Sequence, residues 1–151
     1  REGAYRDMAD IERVISVLSK APLFQGLKKR QLERLARRFV EREYPPEAAI
    51  VTQGKGGEGF FIVVSGKAEA VRERLDGTKV VVNTFGPSDY FGELALLDDG
   101  PRTASVITVE PTQCLVLTRW DFLSALKEDV DSAISILKEL ARRFRLALDA
   151  L

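Results

Sequence analysis

Lys67-Ala68-Glu69-Ala70-Val71-Arg72-Glu73-Arg74-Leu75-Asp76-Gly77-Thr78-Lys79-Val80-Val81-Val82 is the stretch that decides the fold. Ala68, Ala70 and Val71 alternate with Lys67, Glu69 and Arg72, which is the two-residue period of a half-buried strand. Asp76-Gly77 then precedes a valine run, and both residue types tolerate positive φ, so a hairpin is predicted. Strands continue on either side. Upstream, Val40, Arg42 and Tyr44 run to Pro45-Pro46, Ala48-Ala49-Ile50-Val51-Thr52 follows, and Gly54, Gly56, Gly57 and Gly59 lead into Phe60-Phe61-Ile62-Val63-Val64, which Ser65-Gly66 breaks. Downstream lie Ser105-Val106-Ile107-Thr108-Val109 and Cys114-Leu115-Val116-Leu117. Roughly eight short strands joined by turns predict an antiparallel jelly roll.

Helical periods flank this roll. Ile11, Val14, Ile15 and Leu18 recur at helical spacing before Pro22, and Leu32, Leu35, Ala36 and Phe39 give a second helix. The basic run Lys28, Lys29, Arg30, Arg34, Arg37 and Arg38 is expected to be a solvated face. After the roll, Thr118 can cap a short helix carrying Trp120, Phe122, Leu123 and Leu126. A longer helix then places Val130, Ala133, Ile134, Leu137, Leu140, Ala141, Phe144 and Leu148 on one stripe. Ala147, Ala150 and Leu151 broaden that stripe, which suggests a contact beyond its own sheet, or else a helix cut before its capping residues. The expected class is α+β, mainly β. A flexible lead at 1–9 precedes a single domain at 10–151, made of a helical lead (10–39), a β-roll (40–118) and C-terminal helices (119–151).

Composition narrows the function. A chain of 151 residues with 45% hydrophobic content supports one domain with a substantial core. Its 23 basic and 23 acidic residues cancel, so no overall field draws it to nucleic acid or an anionic membrane, and any phosphate recognition must be local. Histidine is absent, which removes Ser-His-Asp and Cys-His catalysis, most zinc sites and the ligand cluster of a metal-dependent oxygenase. A binding protein is therefore expected rather than an enzyme, with no metal and no catalytic cofactor. The single cysteine, Cys114, sits in an apolar run and cannot form an internal disulfide, so a reducing, cytoplasmic setting is expected. No apolar run approaches the ~20 residues of a spanning helix, and no signal-peptide pattern opens the chain. The first residue, Arg1, is not methionine, from which a trimmed start is expected.

The candidate site is Phe91-Gly92-Glu93-Leu94-Ala95-Leu96-Leu97, followed after a short gap by Arg102-Thr103-Ala104-Ser105-Val106. Gly92 permits close backbone approach and can mark a helix start whose N–H groups suit an anion. Glu93 offers an acceptor to hydroxyls, and Arg102 offers paired charge-assisted donors to a phosphate. Plainer roles compete: Arg102 could answer Glu93 in an ion pair, Gly92 could serve a turn, and Phe91, Leu94, Leu96 and Leu97 read as core. Thr103 joins Arg102 only if the following strand starts irregularly, which Pro101 makes plausible. The glycines at 54–59 lack the lysine and hydroxyl ending of a phosphate-binding loop and read as a hairpin turn on which the pocket should not depend.

These two separated motifs, together with Gln53-Gly54 and Phe60-Phe61-Ile62-Val63-Val64-Ser65-Gly66, resemble a cyclic nucleotide-binding domain of the kind found in bacterial catabolite-activator regulators, cyclic nucleotide-dependent kinases and cyclic nucleotide-gated channels. The resemblance spans nearly the whole chain. It implies an eight-stranded β-roll, a double-stranded β-helix, flanked by N-terminal helices and a long C-terminal helix, with cAMP (preferred) or cGMP inside. Carried over, Arg102 would pair with the exocyclic phosphate oxygens, Glu93 would accept from the ribose 2′-hydroxyl, and backbone N–H groups of Gly92, Glu93, Leu94 and Ala95 would add donors. Thr103 would be a further contact, with Phe91, Ala104 and Ser105 behind it. Ala147 and Leu148 stand where some members place base-contacting hydroxyls, which leaves base choice open and favours an apolar lid or one built by a partner chain. A regulatory sensor is implied, coupling ligand to movement of the last helix. Its expected partner is a second copy through that helix or an attached effector domain. The alternative is a ligand-free roll with a structural or protein-interaction role.

Overall fold

The computed structural model describes residues 8–56 and 58–151. The expected lead thus lies, through residue 7, outside the described residues. Residues 39–119 form one compact unit, and residues 8–38 with 120–151 form another.

The first unit holds β1 (Val40–Tyr44), β2 (Ala49–Val51), β3 (Gly59–Ser65), β4 (Ala68–Glu73), β5 (Lys79–Phe85), β6 (Tyr90–Phe91), β7 (Ser105–Thr108) and β8 (Thr112–Thr118). They form two four-stranded antiparallel sheets, ordered β1-β8-β3-β6 and β2-β7-β4-β5. This is the jelly roll expected from the alternation, and the class is α+β, mainly β. Phe60, Phe61, Ile62 and Val63 on β3 are all buried, as are Leu115, Val116 and Leu117 on β8, so these central strands carry continuous apolar runs. Strand β4 instead alternates, burying Ala68 and Ala70. Within one sheet Phe61 on β3 stacks on its partner Phe91 on β6 with centroids 5.0 Å apart, and Phe85 on β5 of the other sheet lies 5.0 Å from Phe91, its ring tilted by 41°.

The β4–β5 hairpin forms with a different turn from the predicted one. The last pair is Glu73↔Lys79, and only Gly77, at φ +87°, enters the left-handed region. Asp76 keeps an ordinary φ and uses its carboxylate instead: Oδ1 accepts from the Thr78 amide at 2.9 Å and from its hydroxyl at 2.7 Å. Those bonds hold the Asp76 carboxyl below its usual range. A second correction concerns the glycine-rich segment. β2 and β3 belong to different sheets, so the segment passes from one sheet to the other and closes no hairpin. The two-residue β6 carries too little pattern to be read from sequence.

The second unit contains α1 (Met8–Lys20), a 3-10 turn (Pro22–Phe24), α2 (Lys29–Ala36), α3, which begins at Arg119 and runs to Glu128, and α4 (Val130–Asp149). Ile11, Val14, Val17 and Leu18 are the buried face of α1, and Phe24 meets Phe122 edge-on at 6.1 Å. The second helix stops at Ala36, so Phe39, though buried, lies beyond it. The basic run Lys28–Arg38, which begins before α2 and ends after it, is not wholly solvated. Arg38 Nη2 pairs with Glu128 at 2.7 Å, and Arg34 approaches Asp129 at 3.9 Å. Gln31, buried, accepts from the Lys28 amide at 2.9 Å and donates to Asp129 at 3.3 Å. Asp129 is the lone residue separating α3 from α4, with extended backbone.

On α4 the buried line is Ser132, Ile136 and Glu139, one helical face at i, i+4 and i+7. The apolar stripe read from sequence lies mostly elsewhere: Val130, Ile134, Leu137, Phe144 and Leu148 are exposed. Sequence period locates an apolar face but not the element that covers it. Among the described residues, no helix is long and apolar enough to cross a membrane, and no cluster of acidic or cysteine side chains could hold a metal ion.

Candidate functional site

Inside the roll a cavity of about 520 Å³ opens between the segment after β6 and the segment before β7. Its walls combine Val51, Ala70 and Val106, which alternation turns inward from three strands, with Phe85 and Phe91. The polar end is built by Gly92, Glu93, Leu94 and Ala95 on one side and Arg102, Thr103 and Ala104 on the other. Phe91 and the two predicted motifs therefore converge on one cavity. Ser105 lies just behind, its hydroxyl accepting from the Gln53 amide at 2.8 Å. Ala147 and Leu148 lie on α4 in the helical unit. Leu96 is core as read, whereas Leu94 is 62% exposed at the mouth, because the short helix turns it away from the interior.

Gly92 caps a one-turn 3-10 helix, Glu93–Leu96, with φ +90°. Such a φ strains any residue with a Cβ. Space forbids one as well, since a Cβ there would stand 2.5 Å from the Gly59 carbonyl oxygen and 2.7 Å from Arg102 Nη1. The glycine thus lets the phosphate-binding candidate segment lie directly on the arginine. The Ala95 amide closes the turn by donating to the Gly92 carbonyl at 3.0 Å. Glu93, half-buried, opens the helix.

Arg102 lies in the irregular stretch before β7, as joint placement with Thr103 requires. The glycine-rich segment is its mount. Arg102 donates its backbone N–H to the Lys55 carbonyl at 2.9 Å and accepts from the Gly54 amide at 2.8 Å, while Nη2 donates to the Gly59 carbonyl at 2.9 Å. The expectation that the pocket is independent of this segment is corrected by these three bonds. Gln53 anchors the segment in turn: its side chain accepts from the Glu73 amide at 2.7 Å and donates to the Glu73 carbonyl at 2.9 Å. Reading the glycines at 54–59 as a hairpin turn passes over this supporting role, for which Gln53-Gly54 is the available signal.

The guanidinium is answered by a backbone carbonyl, and its Nε is buried with no hydrogen-bond partner. An unsatisfied buried donor on a cation is unfavourable by roughly 1–3 kcal/mol or more. Burial pushes the Arg102 guanidinium below its ordinary pKa, and the Glu58 carboxylate partly opposes that shift. Arginine nonetheless stays charged at neutral pH. The chemistry on offer is therefore a fixed, partly dehydrated cation with spare donors at the end of an apolar chamber. Cys114, buried in the same unit, supplies no nucleophile, because burial pushes its thiol up to about 12.

Residues 41–129 match the family model for the cyclic nucleotide-binding domain. The chain belongs to the cyclic nucleotide-binding domain family. It is similar to the cyclic AMP receptor protein of Thermus thermophilus, with 37% identity over 125 residues, 83% of this chain and 58% of that protein. Among solved structures, the N-terminal domain of a transcriptional regulator from Streptomyces coelicolor superposes with a TM-score of 0.78 at 31% identity, covering 89% of this chain and 94% of that one. The regulatory domain of Toxoplasma gondii PKA with cAMP gives 0.71 at 31% identity, covering 82% and 47%. The chain thus spans a little over half the length of the Thermus receptor.

Proposed function

We propose that this chain is a regulatory sensor that binds a cyclic nucleotide, cAMP in preference to cGMP, in the roll cavity and passes occupancy to α4. The observation that carries this is the buried Arg102 Nε without a partner at the end of a cavity of about 520 Å³. A cyclic phosphodiester supplies one negative charge shared by two exocyclic oxygens, which suit a single arginine with neutral N–H donors. Arg102 takes the exocyclic oxygens, Glu93 the ribose hydroxyl, and amides from Gly92 onward the remaining phosphate or sugar oxygens. Thr103 is a further contact, and the base meets the apolar chamber. The named cAMP association of the Thermus and Toxoplasma relatives supports the adenine form.

The roll and the flanking helices act as one module, and the exposed stripe of α4 is its output surface, toward a second copy or an attached effector. Ligand shifts α4 only by binding its two positions with different affinity.

Calorimetric titration with cAMP and cGMP, on the wild type and on Arg102→Ala, tests the binding. Removing one side of a buried charged pair is worth about 2–5 kcal/mol, so the variant should bind at least about 30-fold more weakly. Negligible heats for both proteins would leave a roll that serves structure or protein interaction.

A further inference from the structure

We infer that Arg42, on β1 and outside the cavity, is a positioning residue for ligand affinity: it holds the Glu58 carboxylate and keeps that charge from competing with a bound phosphate for Arg102. This rests on the nucleotide assignment above. Arg42 Nη1 meets Glu58 Oε1 at 2.7 Å. Glu58 is the only carboxylate in the segment Gln53–Gly59 that mounts Arg102, and it directly precedes the glycine whose carbonyl receives Arg102 Nη2. Its backbone is pinned, since its carbonyl accepts the Arg119 amide at 2.9 Å. Only the side chain of Glu58 can choose between partners.

The choice matters because carboxylate and phosphate present the same kind of acceptor to a guanidinium. Glu58 is the charged group whose field opposes the effect of burial on Arg102, so the two are electrostatically in touch. Its hydrogen bond is also the leading influence that raises Arg42 above its ordinary pKa. The side chains of Arg42 and Glu58 are 37% and 57% exposed. A pair so placed adds little to folding stability, because water and salt screen it. Its effect on an anion inside the low-dielectric chamber is screened less. Affinity should therefore respond where stability does not.

The test is cAMP titration of wild type, Arg42→Met, Arg42→Lys, Glu58→Gln and the Arg42→Met/Glu58→Gln double variant at low ionic strength. Arg42→Met, which keeps the aliphatic stem, should weaken binding roughly threefold to tenfold by releasing Glu58. Glu58→Gln should tighten it roughly twofold to fivefold, the double variant should resemble Glu58→Gln, and Arg42→Lys should recover most of the loss. The differences should shrink with added salt. Shifts of the same sign for Arg42→Met and Glu58→Gln, with matching losses of melting temperature, would make the pair a structural brace and overturn the inference. Unchanged affinity in both would overturn it too. A wild type that takes up neither cAMP nor cGMP would remove the nucleotide assignment and this inference together, an outcome separable from the others before any variant is made.

Discussion

Gly92→Ala and Gly77→Ala form a matched pair. Both glycines sit near φ +90°, at +90° and +87°, so an alanine at either position meets the same backbone penalty of about 1–2 kcal/mol. Their surroundings differ. Around Gly77 nothing lies within 4 Å of an added Cβ, whereas at Gly92 the Cβ would stand 2.5 Å from the Gly59 carbonyl and 2.7 Å from Arg102 Nη1. Relieving that overlap adds about 1–3 kcal/mol, since a backbone carbonyl cannot rotate away as a flexible side chain can. At about 3 °C per kcal/mol for a chain of this length, Gly77→Ala should lower the melting temperature by roughly 5 °C and Gly92→Ala by roughly 10 °C. Binding separates them further. Arg102 must shift to admit the Gly92 methyl, which should weaken cAMP at least about tenfold, near 1.4 kcal/mol, while Gly77→Ala leaves it unchanged. Thermal melts and calorimetry read both quantities. Equal melting losses with wild-type affinity in Gly92→Ala would refute the reasoning, because the contact with Arg102 would then be dispensable.

Two further outcomes concern the helical unit. The Ser132 hydroxyl, donating to Asp129 at 2.9 Å, is the main cause that holds the Asp129 carboxyl below its usual range, with Gln31 and Arg34 adding to it against burial. A carboxyl lowered in the folded state stabilises above its unfolded value of about 3.9, and that contribution disappears as pH falls through the folded value. The gap in melting temperature between wild type and Asp129→Asn should therefore be open at neutral pH and close in acid; a gap independent of pH would reject the assignment. If α4 joins two copies, Leu137→Glu with Phe144→Glu should abolish association in sedimentation equilibrium while leaving helix content intact, since both side chains are exposed, at 63% and 65%. A wild-type mass of one chain would refute that use of the stripe.

The roll was legible because its signals are local. Alternation at Ala68 and Ala70 and the buried run at Phe60–Val63 depend on neighbours in sequence, and β3 and β4 lie within a residue of those readings, whereas β5 runs on to Phe85 and the short β6 has no counterpart in the pattern. Gly92 and Arg102 were legible for a related reason: glycine before a short apolar run and an isolated arginine each carry their chemistry in the residue type. What the sequence did not reveal depends on pairing at long range. The Asp76-Gly77 turn could close in several ways, and the choice fell to the Asp76 carboxylate and the Thr78 amide. The role of residues 54–59 follows from three bonds to Arg102, more than forty positions away in the chain at their closest, which no spacing announces. The buried face of α4 was misjudged for the same reason, since Ser132 and Glu139 are covered although their side chains are polar.

One residue, Asp129, interrupts what would otherwise be a continuous rod from α3 into α4. With 20 residues, α4 extends about 30 Å from Asp129, so a turn of only about 10° there would sweep the far end through about 5 Å. If α4 moves as proposed, a pivot this narrow would convert changes of a few backbone degrees into displacement on the scale of a whole side chain, and the Gln31, Ser132 and Arg34 contacts to Asp129 would resist its start.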